Sequence, residues 1–242
     1  MNHLGAKLED VYPFCARTGG RALYPNGHPL CNFYRPQPTQ LLSRPAACDT
    51  NEASSGKRKR HREDCFETGH ITLSDRTYAS GEHAFHGEKY NYISMSCDKD
   101  EAHTQQLLQY AKKFQITGAF NVLSGGEVKK KGGKRGLCLT REEVDIWTSG
   151  AASVQQQICR EKFSNDPQVR ECLGATGDKI LVHSALRCRA EKLHARIWEG
   201  KALAGANGVV VRGGNLLGFI WMDIRDNRSD SDSNSSNSDI RL

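Results

Sequence analysis

The stretch Ala79-Ser80-Gly81-Glu82-His83-Ala84-Phe85-His86-Gly87-Glu88-Lys89-Tyr90 predicts a helix that begins near residue 81. Four of its side chains are spaced at i, i+3, i+4 and i+7 and therefore share one face: Glu82, Phe85, His86 and Lys89. A packing face usually carries aliphatic residues, whereas this one carries an acid, an aromatic ring, an imidazole and a cation. Glu82 and Lys89 are about 10 Å apart along the axis, which is too far for an ion pair but suits the two ends of one ligand. The alternative is a solvated helix face with scattered charges.

The composition indicates one globular core diluted by polar loops. The chain has 242 residues, 37% of them apolar, and its mean hydropathy is −0.63. It contains no run of about 18 apolar residues, so a transmembrane helix is not expected. The first ten residues lack a basic start followed by an apolar block, so a secretory signal is not expected either. Nine cysteines without a CxxC spacing favour reduced thiols and an intracellular location.

Two basic runs account for much of the net charge of +6. One extends from Lys57 to Arg62, and the other from Lys129 to Arg135. Such runs can contact nucleic-acid phosphates or act as nuclear addresses, although many are only solvated loops. No aromatic residues are interleaved with them, so a stacking platform for single strands is not predicted. The expected location is cytoplasmic, or nuclear if Lys57 to Arg62 serves as an address.

The organisation of the chain predicts a single, helix-dominated α+β domain over residues 1–226, with short strands. Residues 37–68 are rich in Pro, Ser and charge, and residues 115–140 are rich in Gly, so both are predicted to be loop insertions. Residues 227–242 are mostly Ser, Asn and Asp, which predicts a disordered tail. Periodicity predicts helices at 81–94, 100–114, 141–163, 167–173 and 215–225, and strands within 70–78, 179–183 and 209–211.

Several common functional motifs are absent from the sequence. The glycines near residue 130 do not meet the spacing of a phosphate-binding loop, and no GxGxxG follows a predicted strand. His83 and His86 form an i, i+3 pair without a third ligand at a telling spacing, and no HExxH occurs. The sequence therefore predicts no metal and no cofactor.

Four segments, in order, resemble one known family. Leu30-Cys31-Asn32-Phe33-Tyr34 is similar to its LSNFY segment, and Ser80 to Tyr90 is similar to its SEHYFQAQKF helix. Glu161 to Gly177 is similar to KFxxNPxLxxxLLATG, and Gly214 to Arg225 is similar to the terminal NxLGxxLMxxR helix. Together these segments resemble the NADAR family, the YbiA-like N-glycosidases.

This resemblance implies a YbiA-like α+β fold and hydrolysis of the N-glycosidic bond between a base and a phosphorylated ribose. Family substrates include ribosylamino-pyrimidine intermediates of riboflavin synthesis and ADP-ribose attached to nucleobases. Neither a cofactor nor a metal is needed for this chemistry. The implied partners are a small phosphoribosyl or ADP-ribosyl substrate, or nucleic acid carrying ADP-ribosylated bases.

The resemblance also implies roles for an acid and two indoles. Cleavage of a C1′–N bond builds positive charge on the ribose, and the Glu82 carboxylate could stabilise that charge and orient or deprotonate water. Trp147 and Trp198 stand at family positions and could sandwich or edge the leaving base, or both could be core residues. Near the second Trp the family carries an Asp that this chain lacks. Glu199 could replace it, or the protein binds its ligand without cleaving it.

Four further residues are predicted to bind substrate. Lys89 could hold a phosphate or help to orient Glu82, unless it is a surface lysine. Asn32 and Phe33 could line the pocket, and so could Asn215, which is equally suited to cap the last helix. Three functions follow: an N-glycosidase, a non-catalytic ADP-ribose or phosphoribosyl-binding module, and a nucleic-acid-associated protein tethered by its basic runs.

Overall fold

The computed structural model describes residues 2–15, 28–32, 34–35, 70–96, 100–133, 135–186 and 188–234. The helices are α1 (Gly81–Ser96), α2 (Glu101–Lys112), α3 (Gly125–Gly132), α4 (Arg141–Asn165), α5 (Pro167–Gly174) and α6 (Leu216–Asn234). The strands are β1 (Asn2–Leu4), β2 (Val11–Phe14), β3 (Ile71–Leu73), β4 (Arg76–Tyr78), β5 (Ile180–His183), β6 (Lys201–Gly205) and β7 (Gly208–Arg212). Short 3-10 turns occur at Leu8–Asp10 and Ala190–Ala195. The predicted α+β class, dominated by helices, is confirmed.

The strands pair into small sheets at the periphery of the helices. β1, β7 and β6 form an antiparallel sheet with β7 in the middle. β2 and β5 pair in parallel, with Phe14 opposite His183. Strands are predicted within residues 70–78, and β3 and β4 form an antiparallel hairpin there, whose turn passes through Ser74 at a positive φ of 57°. The parallel pair brings the N-terminal part of the chain beside the end of β5, where the cavity described below begins.

Side-chain caps fix where the helices begin. Thr140 and Glu143 form a capping box at the start of α4: the hydroxyl of Thr140 accepts from the Glu143 amide at 3.2 Å, and the Glu143 carboxylate accepts from the Thr140 amide at 2.7 Å. Asp100 caps α2 by accepting from the His103 amide at 2.8 Å. Such caps satisfy backbone donors that have no partner inside the helix. The predicted starts of both helices are confirmed to within a residue.

The core places α1 at the centre of the helical layer. α1 packs against α2, α3 and α4, and its buried neighbours include Tyr78, Leu107, Phe114 and Ile158. A second cluster joins β2 and β5 to α4, α5 and α6, with Trp221 fully buried among them. The indole nitrogen of Trp221 donates to the carbonyl of Leu30 at 2.8 Å, which ties residues 28–32 to α6.

The segment predicted as a second loop insertion is not a loop throughout, because residues 125–132 form α3. Ser124 and Glu127 close a capping box there: the Glu127 carboxylate accepts from the Ser124 amide at 3.0 Å. Val128 is fully buried against the aromatic cluster around Phe114. Packing and capping therefore outweigh the low helix propensity of the surrounding glycines.

The last helix is longer than predicted and covers the start of the segment predicted to be disordered. α6 continues past Arg225 to Asn234, and the Asn227 amide donates to Asp223 at 3.0 Å, an i, i+4 bond that supports the added turn. Residues 235–242 and the predicted insertion at 37–68 lie outside the described residues. Within the part of the chain that the structure describes, no helix has the length and apolarity needed to cross a membrane.

Candidate active site

A cavity of about 750 Å³ lies beside the N-terminal half of α1. Its walls come from α1, the segment around Asn32, α3, α4, the end of β5 and the loop that follows it, and the start of α6. Four of the sequence-predicted site residues line it: Asn32, Glu82, Trp198 and Glu199. Their roles remain predictions, but the fold brings all four to one space from distant parts of the chain.

Glu82 presents a buried carboxylate to this cavity. Its residue is 7% exposed, and its Oε1 lies 3.1 Å from Nε2 of His86, one helical turn further along. Among the described residues, the carboxylate has no other hydrogen-bond partner. A buried carboxylate normally fills its acceptor capacity. Oε2 is therefore the atom with capacity left for a ligand or a water molecule.

The backbone of the Asn32 segment lies directly against the start of α1. The Glu82 amide donates to the Asn32 carbonyl at 2.9 Å. A Cβ on Gly81 would come within 3.1 Å of the Asn32 Cα, so a larger residue there would crowd the Asn32 backbone. The glycine before Glu82 thus fixes the carboxylate beside Asn32.

Asn32 and Gln155 hold each other in a reciprocal amide pair. Asn32 Nδ2 donates to Gln155 Oε1 at 2.8 Å, and Gln155 Nε2 donates to Asn32 Oδ1 at 2.9 Å. Sequence analysis did not identify Gln155, although it lies between Val154 and Ile158 on the buried face of α4. A buried polar residue on an apolar helix face was the signal that could have found it.

Lys162 anchors the same segment from the inside of the core. Its ammonium donates to the carbonyls of Pro29 at 2.6 Å and Cys31 at 3.0 Å. The ammonium also lies 5.5 Å from the ring centroids of both Tyr34 and Trp221. Burial lowers the pKa of Lys162, and these contacts replace part of the lost hydration. Lys162 therefore positions Asn32 without reaching the cavity.

The aromatic wall differs from the predicted pair of tryptophans. Phe85 packs edge-on against Trp147, with ring centroids 5.0 Å apart, and edge-on against Trp198, with centroids 5.4 Å apart. Phe85 and Trp198 line the cavity, whereas Trp147 does not. A sandwich of a base between the two indoles does not fit this arrangement, because the Phe85 ring lies between them. Trp147 instead buttresses Phe85.

His183 and Glu199 complete the far wall. His183 stacks on Phe14 with ring centroids 5.3 Å apart, and its Nδ1 lies 3.2 Å from the Trp198 carbonyl. Burial lowers the pKa of His183, which favours the neutral imidazole. Glu199 is paired with Arg196, whose guanidinium lies 3.6 Å from the carboxylate. His183 and Arg196 were not predicted as site residues.

Two predicted substrate-binding residues lie outside the cavity lining. Lys89 does not line the cavity: its ammonium donates to the Gly132 carbonyl and lies 4.5 Å from the Tyr90 ring centroid. Burial lowers the pKa of Lys89 to about 8. The predicted phosphate contact is therefore not available to Lys89 in this arrangement, since α3 covers it.

Asn215 also lies outside the cavity lining, and its side chain does not cap α6. Its Oδ1 accepts from the His183 amide at 2.9 Å, and its Nδ2 donates to the Leu181 carbonyl at 2.9 Å. It adopts a positive φ of 48°, a conformation that asparagine tolerates better than most residues. Asn215 therefore bridges α6 to β5 and positions His183. Phe33, the remaining predicted site residue, lies outside the described residues.

The basic runs and the metal-ligand pattern can be compared with the structure only in part. Lys57 to Arg62 lie outside the described residues, whereas Lys129 lies on α3 and lines the cavity. Among the described residues, no three side chains of His, Cys, Asp or Glu are grouped so that they could hold a metal ion.

Comparison with known proteins finds a likeness among solved structures. The chain is similar to an NMR structure of the E. coli protein YbiA, with a TM-score of 0.41 and 21% sequence identity over 67% of this chain and 74% of that one. No protein-family model matches the chain, and no curated protein matches it.

Proposed function

We propose that the protein is an N-glycosidase that hydrolyses the bond between a base and a phosphorylated ribose or ADP-ribose. The observation that carries this proposal is the Glu82 carboxylate: it is buried, it lines a cavity of about 750 Å³, and one of its oxygens has no partner among the described residues. The resemblance of the four segments to the NADAR family supplies the reaction class. The cavity is large enough for a nucleotide-sized ligand.

In this proposal the Glu82 carboxylate acts at C1′, the ribose carbon at which the bond to the base breaks. As the C1′–N bond lengthens, the ribose ring gains positive charge, and an adjacent carboxylate stabilises it most strongly where water is excluded. Oε2 takes the proton of the attacking water, the water oxygen bonds to C1′, and the electron pair of the broken bond leaves with the base nitrogen, which takes up a proton. His86 orients the carboxylate through Oε1.

In this proposal Phe85 and Trp198 bind the base. Their rings meet edge to face along the cavity wall, and a flat base can pack on such a surface. Trp147 supports this wall from behind through Phe85. Asn32, whose amide is held by Gln155, offers fixed hydrogen-bonding groups at the same cavity.

A second candidate function, a non-catalytic binding module for the same ligands, is favoured by one observation. Glu199, the acid proposed to replace the missing family Asp, is paired with Arg196 and so is partly neutralised. In a non-catalytic binding module, the Glu199–Arg196 pair would contribute only to the shape and charge of the site. If the Glu199→Ala variant keeps its turnover, Glu199 has no role in the reaction. If the variant loses turnover but still binds substrate, Glu199 takes part in the reaction.

The test is incubation with ADP-ribose-modified guanosine, a ribosylamino-pyrimidine phosphate and NAD, with released base detected by mass. We expect release from at least one substrate, and release that depends on Glu82. Binding of a substrate without release of its base would support the second function. That the protein acts on nucleic acid carrying ADP-ribosylated bases is a further prediction. It is tested by including an ADP-ribosylated oligonucleotide among the substrates.

A further inference from the structure

Two permanent positive charges line the cavity that contains Glu82. Among the described residues of its lining, the lysines and arginines are Lys129 and Arg196 alone. Lys129 is exposed, and the Arg196 side chain is 53% exposed, so both lie at the solvent-facing side. We call this pair, Lys129 and Arg196, the cationic rim. The interior instead holds the buried carboxylate of Glu82 and the half-buried carboxylate of Glu199.

Helix α3 holds Lys129 at the cavity. Its start is fixed by the Ser124–Glu127 capping box, its Val128 is buried in the aromatic cluster, and its Gly132 carbonyl accepts from Lys89 of α1. The helix that carries Lys129 is therefore attached to the helix that carries Glu82. The charge of Lys129 also contributes to the lowered pKa of His183, behind the desolvation that dominates it.

The backbone around Arg196 is held as firmly as that of α3. The Arg196 amide donates to the Leu193 carbonyl at 2.9 Å, and its carbonyl accepts from the Gly214 amide at 2.6 Å. Its side chain can exchange partners, because its contacts are an exposed ion pair of 3.6 Å with Glu199 and a hydrogen bond with Cys188, and an ion pair this exposed contributes little to stability. A phosphate offers a guanidinium two parallel, charge-assisted hydrogen bonds and is the stronger partner.

We propose that Lys129 and Arg196 bind the phosphate group of the ligand, and that this phosphate draws Arg196 away from Glu199. The proposal rests on the proposed function only in placing the ribose beside Glu82. It moves the phosphate contact from Lys89, which α3 covers, to the cationic rim. The ligand class is a ribose that carries a phosphate or diphosphate at its 5′ end.

The charge distribution sets the orientation of the ligand. A phosphate near the carboxylates of Glu82 and Glu199 would be repelled, whereas at the rim it meets opposite charge. The phosphate therefore lies at the mouth and the anomeric carbon lies inward, beside Glu82. Loss of its Arg196 partner leaves the Glu199 carboxylate facing the cavity.

The test measures binding of ribose 5-phosphate and of ribose to the full chain by calorimetry, so that it does not depend on turnover. We expect ribose 5-phosphate to bind more tightly than ribose, and Lys129→Gln and Arg196→Gln each to weaken its binding by about tenfold. The matched controls are Lys130→Gln and Arg189→Gln, which remove equal charge from neighbours that do not line the cavity. Both controls should leave binding unchanged. Glu199→Gln should tighten binding, because it removes the competitor for Arg196.

Equal binding of ribose and ribose 5-phosphate, or unchanged binding in both rim variants, would overturn the proposal. So would an equal loss in the control variants, since the effect would then reflect net charge alone. Thermal melts of every variant exclude unfolding as the cause. If the rim variants behave as expected and no substrate releases its base, the glycosidase function fails while the cationic rim stands.

Discussion

Two carboxylates on α1 are equally buried but sit in different surroundings. Glu82 and Glu88 are each 7% exposed. Glu88 accepts from Arg76 at 2.8 and 3.0 Å and from the Tyr78 hydroxyl at 2.6 Å, so both of its oxygens are occupied. Glu82 contacts a cavity and, among the described residues, accepts only from His86.

The comparison shows that burial alone does not identify a reactive acid. A buried carboxylate with filled acceptor sites stabilises the fold, and removing it leaves its donors unpaired. A buried carboxylate that keeps one oxygen for a cavity contributes less to stability and more to chemistry. Catalytic groups are expected in the second situation.

The largest expected effect is on turnover at Glu82. Glu82→Gln keeps the shape and the contact with His86 but removes the negative charge and the proton acceptor. We expect the rate of base release to fall by about 10²- to 10⁴-fold, as measured by mass detection under single-turnover conditions. A folded Glu82→Gln protein that turns over at the wild-type rate would contradict the proposed role of Glu82.

The next effect is on stability at Glu88. Glu88→Gln removes the charge that pairs with Arg76 and should cost about 3 kcal/mol, the lower end for a broken buried pair, because the Arg76 side chain is 26% exposed. Urea denaturation measures this cost. The same measurement on Glu82→Gln is the control, with an expected change below about 1 kcal/mol. Equal losses in the two variants would show that the two acids have the same structural role.

Sequence patterns identified the elements of α1 and α4 because both depend on local signals. Helical periodicity predicts the start of α4 near residue 141, where the structure shows the Thr140–Glu143 capping box, and helical spacing predicts the shared face of Glu82 and His86. The hairpin of residues 70–78 is local in the same sense. These predictions needed no knowledge of what packs against each element.

The partners of each face could not be predicted, because they come from distant segments. Lys89 shares the helix face of Glu82, yet α3 covers it, and α3 arises from a glycine-rich segment read as a loop. Gln155 reaches Asn32 across 123 positions of sequence. Asn215 bonds to the backbone of β5 rather than to its own helix. Only tertiary packing decides such contacts.

A smaller effect is expected where α3 meets the partner of Glu82. A Cβ on Gly132 would overlap the His86 ring, so Gly132→Ala must displace His86 or α3. We expect a loss of about 2 kcal/mol in stability and a further loss of turnover, since His86 orients Glu82. The matched control is Gly126→Ala in the same helix. Apart from its chain neighbours and the adjoining helix backbone, nothing among the described residues lies within 4 Å of the Cβ that it would add, and it should stabilise the protein by about 0.5–1 kcal/mol.

The two glycine variants also test whether the surroundings of Glu82 and Glu88 are independent of each other. The Glu88 network does not contact Gly132, so its contribution to stability should be the same in the Gly132→Ala background. We expect the stability losses of Gly132→Ala and Glu88→Gln to add in the double variant. We expect the turnover losses of Gly132→Ala and Glu82→Gln not to add, because both act on the Glu82 carboxylate. If the stability losses of Gly132→Ala and Glu88→Gln also failed to add, α1 would respond to substitutions as one unit.

The smallest expected effect is a dependence of stability on pH that comes from Lys89. Burial lowers its pKa in the folded state to about 8, below the unfolded value of 10.5. Between these values the unfolded chain binds more protons than the folded one, so stability rises as the pH increases through this window and is constant below it. From pH 8 to pH 9 the rise should be about 1 kcal/mol.

Other groups that titrate in this range are common to the wild type and to Lys89→Met, so the difference between the two proteins isolates Lys89. Thermal melts at both pH values should show a smaller gain for Lys89→Met, and an equal gain would mean that the Lys89 ammonium remains hydrated beneath α3 instead of being enclosed by its neighbours as the Glu88 carboxylate is.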